Sequence, residues 1–170
     1  MTEQQPYELI QKFDGFELRH YPEHVLVEVI ARGGFVQAGN MGFQPLVSYI
    51  SGRNLERKKF AMTAPVIQSP NASDDEHRVA FVLPAGVKAT DVPAPVDGYV
   101  TTRVVPAHRV AAVRFGGGWS EEKFKIEGAK LRAAVLAQGL EPEGDLYYAR
   151  FDPPWKPGFL KHNEALIDLK

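Results

Sequence analysis

The residues of this chain best suited to chemistry are few and widely spaced. Glu164 follows Asn163 and opens the last apolar run, "EALIDL". A carboxylate at that point either faces solvent as an ordinary strand residue or is carried inside. Burial there would raise its pKa and fit it to accept a proton from a ligand or act as a general base. Tyr49 is the hydroxyl donor expected to work with it, although Tyr49, Tyr147 and Tyr148 equally suit the boundary between core and surface. A neutral imidazole can ligate a metal through one ring nitrogen if that nitrogen meets an open apolar pocket. Of the five histidines, His20 ends a strand-like run and His162 lies in the closing loop. His24 and His108 open two matching strands, which favours a structural role, and His77 sits beside "SDDE" as a solvated turn residue. Met62 is a soft donor more readily explained as core filling, and Met41 lies on the first helix.

These side chains need a scaffold, and alternation supplies one. Runs 8–13, 16–20, 25–31, 61–68, 78–83, 99–105, 109–115, 146–151 and 164–169 read as strands. A helix is expected over about 35–50, with Phe43, Leu46, Val47 and Ile50 on one face and Pro45 marking a kink or a late start. A second helix is expected after Ser120, a good N-cap with Glu121 and Glu122 in the first turn. Trp119 and Phe124 are placed as a hydrophobic staple, and Gly139-Leu140 forms the C-terminal stop. "SPNASDDE" (69–76) reads as turn material, and 84–98, with four prolines, as a crossover.

Two stretches match in register. "HVLVEVIARGGF" begins at His24 and "HRVAAVRFGGGW" at His108, an offset of 84 that pairs Gly33 with Gly117 and Phe35 with Trp119. The same element order follows each, which argues for a duplicated unit, about 16–83 and 99–169. The expected class is α+β: one domain over 1–170, a distorted antiparallel β-barrel with two helices, built from two pseudo-symmetric ββαββ-type halves.

Composition narrows the function. Twenty basic against twenty-one acidic residues give a net charge of −1, so there is no basic stripe and no nucleic-acid partner is expected. The chain has no cysteine, hence no disulfide, no thiol nucleophile and no covalent haem attachment. No leader is visible in "MTEQQPYELI", and no apolar run is long enough to span a bilayer, so a cytoplasmic protein without membrane insertion is expected. The sequence contains no G-x-S-x-G elbow, no H-E-x-x-H and no P-loop.

Four stretches carry a family resemblance: "FELRHYPEHVLVEV" (16–29), "YISGRN" (49–54), "KFAMTAPV" (59–66) and "YYARFDPPWKPGFLKHNEALI" (147–167). Together they resemble the SOUL family of haem-binding proteins over nearly the whole chain. The resemblance implies the two-halved barrel, similar to the effector-binding domains of bacterial regulators, and binding of haem b or a related tetrapyrrole without a covalent bond. It places His20 where some members carry a proposed iron ligand; the alternative is a half-solvated histidine at a strand end. The ring would lie beside the first helix near Phe43 and Val47, with Arg19, Arg53, Arg57, Lys58 and Lys59 as cations for its propionates. Asn40, Gln44 and Ser48 depart from relatives that carry Arg or Lys on this helix. In the similar effector-binding fold a glutamate of the last strand reaches the ligand cleft, which Glu164 matches.

The first expectation is therefore a non-enzymatic tetrapyrrole carrier, buffer or sensor. The alternatives are a small-hydrophobic-ligand or hydrolase domain using Glu164 with Tyr49, and a protein–protein interaction module. The prolines around Trp155 are read as a rigid corner with the indole buried beneath it.

Overall fold

The structure is a computed structural model that describes residues 2–153 and 155–170. The chain forms two compact units: the residues up to Gln5 with Glu23–Pro106, and Pro6–Pro22 with Ala107–Lys170.

In the first unit, strands β4 (His24–Arg32), β6 (Val66–Asn71), β7 (Ser73–Val82) and β8 (Val100–Val105) form an antiparallel ladder in the order β6-β7-β4-β8. Two short strands, β1 (Glu3–Gln4) and β5 (Thr63–Ala64), pair in parallel. Helix α1 (Phe35–Ile50) lies against β4 and β7. The alternation of β4 explains the docking: Val25, Val27 and Val29 join Leu46, Tyr49, Ile50, Val79 and Phe81 in one core, while Leu26 packs with Ala80 and Val82 on the other face. Helix α1 runs uninterrupted through Pro45, which removes only the bond its N–H would have made to the Met41 carbonyl.

In the second unit, β2 (Glu8–Phe13), β3 (Phe16–Tyr21), β9 (His108–Phe115), β11 (Asn163–Leu169) and β10 (Pro142–Arg150) form an antiparallel ladder in the order β2-β3-β9-β11-β10. Helix α2 (Glu121–Ala137) buries Phe124, Gly128, Leu131 and Val135, with the Phe124 ring edge-on to Phe115 and Tyr148. Ser120 caps the helix by accepting from the Lys123 N–H, as its sequence signals predict.

The α+β class with two helices on antiparallel sheet is therefore present. The ladder of neither unit closes on itself, so the barrel of the sequence reading is not a closed one. Gly33 and Gly117, paired by the offset of 84, adopt φ of 113° and 111°, a backbone state that glycine alone enters cheaply. Each turns its strand toward the following helix.

Three local expectations change. Segment 69–76 is not a long turn: β6 and β7 continue through it, with Ser69 opposite Arg78 and Asn71 opposite Ser73, and Ala72 turns the chain at φ 52°. The polar residues there sustain the ladder's exposed end through bonds from Asn71 to Glu76 and from Arg78 to Asn71. His77 is a buried strand residue edge-on to Phe35, not a solvated one. Trp155 is 83% exposed rather than buried. Its corner is held by hydrogen bonds instead, and Pro154 lies outside the described residues.

Candidate functional site

Strand β3 shows how the second unit brings polar groups inside. Phe16 and Leu18 are buried on one face, and alternation puts Glu17, Arg19 and Tyr21 on the other. His20 shares the face of Phe16 and Leu18. Arg19 and His20, read together from the sequence as cation and ligand, thus point to opposite sides of the sheet. No hydrogen bond is made to the His20 ring among the described residues.

Arg19 reaches across β9 to Glu164 on β11 and donates two bonds, Nη1 to Oε1 at 2.7 Å and Nη2 to Oε2 at 3.0 Å. The strand between them carries Ala112, whose methyl leaves the guanidinium room. Arg19 also donates to Tyr21 at 2.9 Å and to Glu17 at 3.0 Å, and lies 4.1 Å over the Tyr7 ring. Both partners of the central pair are buried, Arg19 at 3% and Glu164 at 2% exposure. Burial works against each charge, but in both cases the partner outweighs it. Glu164 is held below the usual carboxylate range by hydrogen bonds from His162 and Arg19, and Arg19 is held firmly protonated by Glu164. This corrects the expectation of a raised pKa for Glu164. Of the two alternatives left open for it, the residue takes the buried one, and it is a paired carboxylate and not a free base.

His162 completes the cluster. Its Nε2 is 2.8 Å from Glu164 Oε2, and its ring stacks on Phe151 at 3.9 Å between centroids. Its backbone N–H donates to Asp152, which also receives Lys156 Nζ at 2.8 Å. The proline-rich corner therefore serves to aim His162. A cavity of about 370 Å³ opens over this cluster, lined by Tyr7, Lys12, Phe13, Phe16, Glu17, Arg19, Arg114, His162 and Glu164. On the same sheet, Asp168 accepts from Tyr147 at 2.7 Å and lies 3.1 Å from His108, giving that histidine the structural role expected of it. Burial, first, and Asp168 hold the Tyr147 hydroxyl well above its ordinary value.

The remaining expected site residues lie in the first unit. Phe43 is 42% exposed on α1 and touches Phe81 edge-on, whereas Val47 packs against the core. Val36 and Met41 are also exposed, at 37% and 58%, while Met62 packs against the core as a filler. Arg53 is bound by Asp97 at 2.7 Å and 2.9 Å. Lys58 donates to the Asp91 carbonyl at 3.2 Å and faces Phe60, and Arg57 and Lys59 stand at the surface. Tyr49 does not act as a site donor: it is buried, its hydroxyl is given to the Pro93 carbonyl at 2.7 Å, and burial pushes its pKa up to about 12.

The polar stripe of β3 was missed at Glu17 and Tyr21. Its signal was present in the alternation of polar 17, 19 and 21 with apolar 16 and 18, a pattern usually taken as one solvated face. Tyr7, Lys12 and Arg114 carry no such signal.

Residues 2–168 match the family described as SOUL heme-binding protein. Heme-binding protein 1 of Xenopus tropicalis is 27% identical over 157 residues, spanning 88% of this chain and 81% of that protein. Among solved structures, the C-terminal domain of EcmrR superposes with a TM-score of 0.69 at 12% identity, covering 96% of this chain and 98% of that one. A structure described as a hydrolase from Listeria innocua gives a TM-score of 0.57 at 12% identity over 99% and 94%. At such identities these last two share the fold alone. Among the described residues no helix is long and apolar enough to cross a membrane.

Proposed function

Since the chain belongs to the SOUL heme-binding protein family, we propose that it binds haem or a related tetrapyrrole without a covalent bond, as a carrier, buffer or sensor. One observation supports this reading above the others. Helix α1 contains no charged residue in its sixteen positions, yet it exposes Val36, Met41 and Phe43. A solvent-facing helix normally carries charge there. An aromatic ring and a thioether on this face suit the flat, apolar part of a macrocycle, while the absence of the Arg or Lys that some relatives carry here leaves the propionates to the segment after the helix.

The residues fit the group. Phe43 and Val36 would give apolar contact, Met41 a soft sulfur donor, and Lys58 and Lys59 in the following segment cations for propionates. Arg53 is already neutralised by Asp97 and contributes less than the sequence suggests. Haem, when bound, would supply an iron centre and two carboxylates. The family pattern alone proposes His20 as iron ligand; it belongs to the second unit, and the α1 surface is proposed without it.

Titration of the whole chain with haemin tests the reading. The expected result is a Soret change that saturates near one equivalent. A Soret position unchanged in the His20→Ala variant would remove His20 from the proposal. An unsaturable change, equal in the parent and in Phe43→Glu, would leave only non-specific adsorption and end the proposal.

A further inference from the structure

We propose that the cavity of the second unit is a hydrolytic site for small carboxylic esters, with His162 as the proton acceptor and Glu164 as the residue that positions it. The inference stands apart from the tetrapyrrole reading.

Its first support is the fixing of one imidazole from three directions. Glu164 Oε2 holds Nε2 at 2.8 Å, Phe151 stacks on the ring, and Asp152 holds the backbone N–H. An Nε2–H given to the carboxylate leaves the lone pair on Nδ1. Nothing hydrogen-bonds to that nitrogen among the described residues, and His162 lines the cavity.

The second support is the fixing of the carboxylate itself. Glu164 is held on one side by two bonds from Arg19 and on the other by His162, so the group that orients the imidazole does not move. The charged groups around His162 are Glu164 and Arg19 at the ring and Asp152 and Lys156 behind its backbone, with Glu17, Lys12 and Arg114 around the cavity.

The third support is the rest of the lining. The Tyr7 ring, which lies against Arg19 on this face of the sheet, offers apolar surface for an acyl or aryl group, and Lys12 and Arg114 are cations for a developing oxyanion. The site is an open cleft of about 370 Å³, which admits a small ester.

The reaction follows from these parts. A water oxygen bonds to the ester carbonyl carbon as His162 Nδ1 takes its proton, and the carbonyl π electrons move to oxygen near Arg114 and Lys12. The tetrahedral intermediate re-forms C=O, the bond to the alcohol oxygen breaks, and His162 returns the proton to that oxygen. Acid and alcohol leave, and no oxidant or cofactor is consumed.

The test is hydrolysis of p-nitrophenyl acetate and butyrate by the purified whole chain as a function of pH. The parent should show saturable turnover above the buffer rate. His162→Gln keeps a donor for Glu164 but accepts no proton, so kcat should fall at least about a hundredfold, the scale of general-base catalysis. In His162→Ala, added imidazole should restore part of the rate. Glu164→Gln should lower kcat and move the pH profile, a displacement that mere loosening of the fold would not produce. Glu127→Ala, on the surface of α2, should match the parent. Turnover no better than buffer in the parent, or equal in parent and His162→Gln, would overturn the proposal.

Discussion

Helices α1 and α2 have sixteen and seventeen residues and follow the same kind of Gly-Gly-aromatic turn, yet they meet solvent in opposite ways. Helix α2 carries Glu121, Glu122, Lys123, Lys125, Glu127, Lys130 and Arg132, and lays ion pairs along its surface from Lys125 to Glu121 and from both Lys123 and Lys130 to Glu127. Helix α1 carries none. The sheets differ as well: the second unit buries the Arg19–Glu164 pair with Glu17 and Tyr21, whereas in the first unit buried Glu28 is met by Arg78 and Arg103 from the partly exposed side. An exposed helix face needs charge only to stay in water. A face that keeps aromatic and thioether groups without charge is unlike that of α2, and for this reason the ligand surface is proposed to lie on α1.

The largest effect should come from the buried charge of the second unit. Arg19→Met leaves Glu164 enclosed without its main partner, and urea unfolding should show a loss of about 3–5 kcal/mol. Arg19→Met with Glu164→Leu should recover much of it; a silent single variant would mean the pair does not hold the unit together. The same pair sets an acid limit. Because Glu164 is held below the ordinary range in the fold, its contribution is complete above the unfolded carboxylate pKa of about 4.3 and is lost as pH falls through the lower folded value. Glu164→Gln should flatten that part of the acid unfolding curve.

The next effect separates the two helices. Phe43→Glu on α1 should weaken haemin binding by about tenfold or more, near 1.4 kcal/mol, with little change in melting midpoint. Ile126→Glu on α2, an exposed apolar residue of similar accessibility, should leave binding alone. Equal effects would erase the distinction between the helices. The smallest effect is expected from Glu127→Ala, which removes two surface ion pairs of α2 and should lower stability by under about 1 kcal/mol, less in high salt.

Most of the scaffold was legible because its signals are local. Alternation found most strands, though not β1, and read β5 and β6 as one run across Pro65; Ser120 and the acidic first turn found α2, and the Gly-Gly-aromatic stretches found both turns. The failures are non-local. Nothing near Glu164 in the sequence indicates that its partner is Arg19, 145 residues away, because strand order decides that contact. Residues 162 and 164 do sit at the spacing of one strand face, but His162 precedes the strand, and its aim depends on Asp152 and Phe151. Trp155 was misplaced because size favours burial only where neighbours exist to cover a side chain. A corner built from Pro153, Pro157 and backbone bonds holds its shape without covering the indole. Segment 69–76 misled for the reverse reason: turn-forming residues extend a hairpin when a ladder already holds them.

The exposure of Trp155 has a practical corollary in light emission. The chain has two tryptophans, and Trp119 is half-buried with the cationic ends of Arg150 and Lys161 over its ring at 4.6 Å and 4.1 Å. One indole is therefore a polar-environment fluorophore open to collisional quenchers such as acrylamide, and the other a shielded one flanked by positive charge. With Trp155 replaced by Phe, the remaining emission comes from Trp119 alone, and its quenching by a bound porphyrin becomes a single-distance energy-transfer signal that needs no attached dye.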